Sequence, residues 1–148
     1  MTPDQVLERL AGLDRDVVIT AAWGETTLFL NPGGRWPRGA YFATVKMRDG
    51  PNDRASGLDR PGVFRVNLGV QRADFVSRFD PPPRRPGKGG VVEGGWAFAA
   101  LDRLTPHPVY GWMGWVSILS PSAKTLDGLA PLAESALARA GATLARRR

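Results

Sequence analysis

The residues from Val63 to Val70 read VFRVNLGV, with Phe64, Val66, Leu68 and Val70 alternating against Arg65, Asn67 and Gly69. Successive side chains of a β-strand point to opposite faces, so this run predicts a strand with its apolar face on a core and its polar face turned outward. Upstream lie three more β-prone runs, Val17 to Trp23, Thr26 to Leu30 and Ala40 to Met47. Gly24, then Asn31-Pro32-Gly33-Gly34, then Pro37 to Gly39 separate them as turns. The polar loop DGPNDRASGLDRPG leads from the third run into Val63. With no helical period between them, the four runs predict an antiparallel meander.

Helical signals flank this meander. Thr2 is a good N-cap, Pro3 suits a first helical turn and Gln5 completes a capping box, while Val6, Leu7, Leu10 and Leu13 share one side. Ala73 to Phe79 forms a short helix stopped by Pro81, Pro82 and Pro83. Trp96 to Leu104 reads as strand-like and Gly114 to Leu119 as a final strand. Beyond Pro121 the recurrence of Leu126, Leu129, Ala133, Ala136, Leu137, Ala140 and Leu144 predicts one long helix with Pro131 near its first turn. Gly128 and Gly141 each weaken it by about 1 kcal/mol, so packing must hold it. The expectation is an α+β fold: a two-layer sandwich in which N- and C-terminal helices cover an antiparallel sheet of about five strands. It comprises a single domain, residues 1–148, with a flexible, basic, Pro/Gly-rich loop over residues 80–95.

Composition narrows the chemistry. The 148 residues contain no cysteine and one histidine, which removes disulfides, thiolate ligands and cysteine nucleophiles. The opening MTPDQVLERLAGLDRD lacks a signal-peptide pattern, and no run approaches the roughly 18 apolar residues of a membrane helix. The expectation is therefore a soluble, cytoplasmic protein without membrane partners. The formal net charge of +6 is matched in size by Arg84, Arg85, Lys88, Arg146, Arg147 and Arg148, which either solubilise a loop and a tail or attract nucleic acid.

Motifs are sparse. The run GKGG at 87–90 lacks the spacing of a phosphate-binding loop and no helix follows it. Asp49, Asp53 and Asp59 lack calcium-loop spacing and read as solvated loop acids, so neither a metal nor a cofactor is expected. The richest stretch is LTPHPVYGWMGWVSILSP, Leu104 to Pro121, which holds His107 between Pro106 and Pro108 together with Tyr110, Trp112 and Trp115. Those prolines restrict the backbone around His107, as a site or a structural turn requires. A Ser-His-Asp hydrolase would recruit His107, but the G-x-S-x-G elbow is missing.

LDRPGVFRVN (Leu58 to Asn67), a short helix, and then HPVYGWMGWVSILSP (His107 to Pro121) resemble a family of small bacterial proteins of unknown function. Its members are similar in outline to the MmcQ/YjbR-like proteins of frataxin-like (CyaY-like) fold. The resemblance implies a helix, an antiparallel sheet and a helix, and it implies no defined activity; a DNA-binding suggestion attaches to the looser relatives. The acidic helical ridge of a frataxin-like iron binder is missing, since the first helix offers only Asp4, Glu8, Asp14 and Asp16. The leading expectation is a non-enzymatic binding module for a small anionic or aromatic ligand or a partner protein. Arg65, Asn67, His107, Tyr110, Trp112 and Trp115 form its shallow site, with Arg65 meeting an anion and the aromatics stacking. Weak nucleic-acid binding through the basic loop and tail is the alternative, and a His107-dependent hydrolase the third.

Overall fold

A computed structural model describes residues 1–22 and 25–147. Its elements are α1 (Pro3–Ala11), β1 (Val17–Ala22), β2 (Glu25–Leu30), β3 (Ala40–Lys46), β4 (Arg65–Gly69), α2 (Arg72–Phe79), β5 (Thr105–Pro106), β6 (Trp115–Leu119), α3 (Ala123–Gly128) and α4 (Ala130–Arg146). Trp23, the turn at Gly24 and Arg148 lie outside the described residues.

All pairings between the strands are antiparallel, in the order β1-β2-β3-β4-β6-β5, so the first four strands form the expected meander. The sheet has six strands rather than about five, because the two residues of β5 add an outer rung to β6. Leu28, Phe42, Val45, Val66, Leu68, Val116 and Ile118 pack with Val6 and Leu10 of α1 and with Leu132, Ala136, Ala140 and Leu144 of α4 in one apolar cluster. α4 crosses β3 and β4, the middle of the sheet. Thr2 and Gln5 close the capping box that starts α1: the Gln5 amide donates to Thr2 Oγ1 at 3.2 Å and the Thr2 amide to Gln5 Oε1 at 2.9 Å.

A bulge on β3 serves both faces. Leu28 pairs with Ala43 but Phe29 pairs with Tyr41, so Phe42 is the extra residue. Phe42 and Ala43 both enter the apolar cluster, and Tyr41 is delivered to the opposite face. A bulge re-aims side chains in this way.

Three expectations are corrected. Trp96 to Leu104 is not a strand: only Leu101 bridges to Leu119, and Asp102 turns the chain at φ 56° before pairing resumes at Thr105. The C-terminal helix is two helices broken at Leu129, because Pro131 lacks an amide and its ring would collide with the preceding turn. Most important, the polar face of β4 is not turned to solvent. Arg65 and Asn67 are both 0% exposed, covered by the segments 47–64 and 80–113. Leu58, Val92 and Phe98 from those segments are buried outside the main cluster, which a run reading PPPRRPGKGG gave little reason to expect. The Val92 amide donates to the Pro108 carbonyl at 2.8 Å and closes the second segment on itself, while Arg60 Nη2 donates to the Ala99 carbonyl at 2.9 Å and joins the two segments.

Candidate functional site

Arg65 sits at the centre of the covered face. Its Nε donates to Asn67 Oδ1 at 2.8 Å, and its Nη1 donates to Ser56 Oγ at 2.9 Å. Nη1 and Nη2 also grip the Asp53 carboxylate, at 2.9 and 2.5 Å. A guanidinium has five N–H groups, so four are engaged within the protein. Burial pushes the Asp53 carboxyl up, but the hydrogen bonds and charge of Arg65, helped by the charge of Lys46, outweigh it and hold the group below its ordinary value. Asp53 is therefore a partly buried partner of Arg65 and not the solvated loop acid expected.

Asn67 extends the network. Its Oδ1 accepts from Ser117 Oγ at 2.7 Å and its Nδ2 donates to Thr44 Oγ1 at 2.9 Å, with Glu25 Oε2 further off at 3.5 Å. Glu25 and Lys46 face each other at 3.7 Å. Arg65 with Asp53 and Lys46 with Glu25 thus balance the charge of this layer.

His107 is 2% exposed and continues the β5 rung, its amide donating to the Trp115 carbonyl at 2.9 Å. Its Nδ1 accepts from the amides of Val109 and Tyr110, at 3.1 and 3.0 Å. Burial, then the Arg65 charge and that of Lys46, push the imidazole well below its usual pKa against the pull of Asp53, so the ring is neutral. With Nδ1 accepting, the single proton lies on Nε2. That atom is 3.3 Å from Arg65 Nη2, another donor, so neither satisfies the other. Among the described residues neither ring nitrogen is hydrogen-bonded to a serine, threonine or carboxylate.

Beside this layer opens a cavity of about 230 Å³ lined by Glu25, Thr27, Tyr41, Thr44, His107, Tyr110, Met113 and Trp115. The Trp115 indole lies flat over Gly69, where a Cβ would fall 2.6 Å from the ring, so glycine is required on β4. Tyr41 stacks on Trp115 with centroids 5.4 Å apart and planes 27° from parallel. Tyr110 closes another side, 5.0 Å from the His107 ring. On the floor, Thr27 is 1% exposed and its hydroxyl has no hydrogen-bond partner among the described residues. Buried hydroxyls are ordinarily paired, and leaving one unpaired costs about 1–3 kcal/mol.

The structure therefore brings together Arg65, Asn67, His107, Tyr110 and Trp115 of the six expected residues. Trp112 is turned away and carries the Arg85 guanidinium over its ring at 4.9 Å. Glu25, Thr27, Tyr41, Thr44 and Asp53 were missed. Period-two alternation alone could have placed Glu25 and Thr27 on one face, whereas Tyr41 depends on the bulge. Of the basic residues considered for nucleic acid, Arg84, Arg85, Lys88 and Arg146 are exposed, and Arg147 donates to the Gly39 carbonyl at 3.1 Å. Among the described residues no group of three or more His, Cys, Asp or Glu is placed to hold a metal ion, and no helix is long and apolar enough to cross a membrane.

The fold and cavity define an α+β protein whose sheet carries helices on one face and a covered polar layer on the other. The chain belongs to the family of unknown function DUF6194, which matches residues 1–148. No curated protein and no solved structure matches it. These comparisons show no link to the MmcQ/YjbR-like proteins.

Proposed function

We propose that the protein is a binding module that takes a small planar ligand, ring first, into the cavity between Trp115, Tyr41 and Tyr110. One observation carries the reading: the buried, unpartnered Thr27 hydroxyl at the floor of an aromatic-walled hollow. A dry cavity of roughly 150 Å³ accepts a benzene ring, so about 230 Å³ admits a substituted one. Aromatic walls hold such a ring by stacking, and a few convergent polar groups orient it. Thr27 and the Nε2–H of His107 are the groups with hydrogen-bonding capacity to spare. Arg65 changes role relative to the sequence reading: Asp53 already neutralises it, and it organises the floor without meeting the ligand.

Thr27→Val separates this reading from a purely structural one. The substitution keeps the shape and removes an unsatisfied hydroxyl, so thermal stability should hold or rise. Binding of benzamide, followed by the Trp115 indole N–H resonance, should weaken about tenfold, the equivalent of one lost hydrogen bond. Benzamide shifts that miss Trp115, or an affinity indifferent to Thr27→Val, would overturn the assignment.

A further inference from the structure

The polar face of the sheet is laid out in rows. Across β2, β3, β4 and β6 the register aligns Thr27, Thr44, Asn67 and Ser117, while Phe29 stands opposite Tyr41 and Gly69 opposite Trp115. Residues two positions apart on a strand share a face at a spacing of about 7 Å, so Glu25 lies one row beyond Thr27, away from the aromatic stack. The cavity thus runs from an aromatic end at Tyr41 and Trp115, past the hydroxyls of Thr27 and Thr44, to a carboxylate end at Glu25.

Among the lining residues Glu25 alone carries a formal charge, since His107 is neutral. Its hold within the protein is loose. Lys46 Nζ stands 3.7 Å from Oε1 and Asn67 Nδ2 stands 3.5 Å from Oε2, whereas Arg65 meets Asp53 at 2.5 to 2.9 Å. A strong N–H···O bond needs about 2.7–3.2 Å, so the Glu25 carboxylate, its side chain only 19% exposed, makes none with the described residues. Lys46 belongs to the layer behind and does not line the cavity. A carboxylate can only accept, so whatever meets Glu25 must donate. One row away the buried, unpartnered Thr27 hydroxyl marks the same hollow as built for a polar guest. The walls point to the same sign of charge, because the faces of tryptophan and tyrosine rings attract cations.

We propose that the ligand carries a planar nitrogen cation, of the amidinium or protonated aminoheteroaryl kind, whose N–H groups meet Glu25 while its ring lies among Trp115, Tyr41 and Tyr110. Two parallel N–H donors on such a group match the two oxygens of a carboxylate. This rests on the binding reading above and adds the charge of the ligand to it. The net charge of +6 favours anions over the molecule as a whole, so a preference for the cation has to arise locally.

Three probes of one shape and different charge test the addition: benzamidine, benzamide and benzoate, each followed by the Trp115 indole N–H resonance. At low salt benzamidine should bind about tenfold tighter than benzamide, as one charge-assisted contact predicts, and benzoate weaker than both. The margin of benzamidine over benzamide should shrink as ionic strength rises. Glu25→Gln should bring the ratio of the two affinities close to one. Should that variant fold poorly, Lys46→Met supplies the converse comparison: with the competing ammonium gone, the margin should widen. If benzamide binds at Trp115 but benzamidine gains nothing over it, or benzoate binds best, the cationic-ligand inference falls and the ring cavity stands. A margin that survives Glu25→Gln, or that Lys46→Met leaves unmoved or narrows, overturns it equally. If none of the three probes shifts Trp115, both readings fall.

Discussion

Arg65 is the residue whose meaning changed most between sequence and structure. Alternation placed it on the polar face, which is right, and by default that face meets water. It does not, because Asp53 lies twelve positions earlier in a loop whose composition shows no sign of folding inward. Removing one partner of a buried ion pair strands the other, typically at a cost of about 3–5 kcal/mol, while replacing both with apolar groups of similar volume is often neutral. Arg65→Met should therefore lower the urea midpoint strongly, and adding Asp53→Leu should restore most of the loss. Equal damage from the single and double variants would show that the pair is not the cause.

At the level of elements, the helices were readable where their signals were local and unreadable where they were not. α1 carries its own capping box, and its start follows from Thr2, Pro3 and Gln5. α2 begins after Gln71, whose side chain makes no cap. Its cap arrives from α4: Ser135 Oγ accepts the Gln71 amide at 2.9 Å and donates to Asp74 Oδ2 at 2.6 Å. No pattern within α2 could reveal a partner 64 residues away. Ser135→Ala should cost about 1–2 kcal/mol, as loss of an N-cap does, and should speed hydrogen exchange at the amides of the first turn of α2. Unchanged exchange there would remove Ser135 from that role. The break at Leu129 is a different failure: Gly128 and Pro131 were visible, but a proline in a first turn fits either a restart or a single helix.

For the molecule as a whole, the meander and the helix-covered face followed from periodicity, because burying apolar side chains is what periodicity records. The cavity did not, since its floor is polar and its cover is loop. The same polar layer sets the acid stability. His107, the chain's only histidine, has a folded pKa well below its ordinary value of 6.5. As pH falls below about 6.5 the unfolded chain takes up a proton that the folded one refuses, so folding loses up to about 1.4 kcal/mol per pH unit until the folded pKa is reached. Asp53 acts in the same direction lower down: its contribution is complete above its unfolded value of 3.8 and is lost as pH drops through the depressed folded one. Urea unfolding between pH 7 and 4.5 should show this slope, and His107→Gln should flatten it; parallel curves would exclude the histidine as its source. The inward-folded segment 47–64 has one more consequence, for how the protein tolerates change. Its hold on the rest runs through Asp53, Ser56, Leu58 and Arg60, whose Nη2 donates to the Ala99 carbonyl at 2.9 Å, whereas Pro51, Asn52 and Arg54 between and beside them are exposed. Drift, or a grafted peptide, can accumulate at the tip of that segment without disturbing the floor beneath it, so the stretch that looks most dispensable is anchored by four positions that are not.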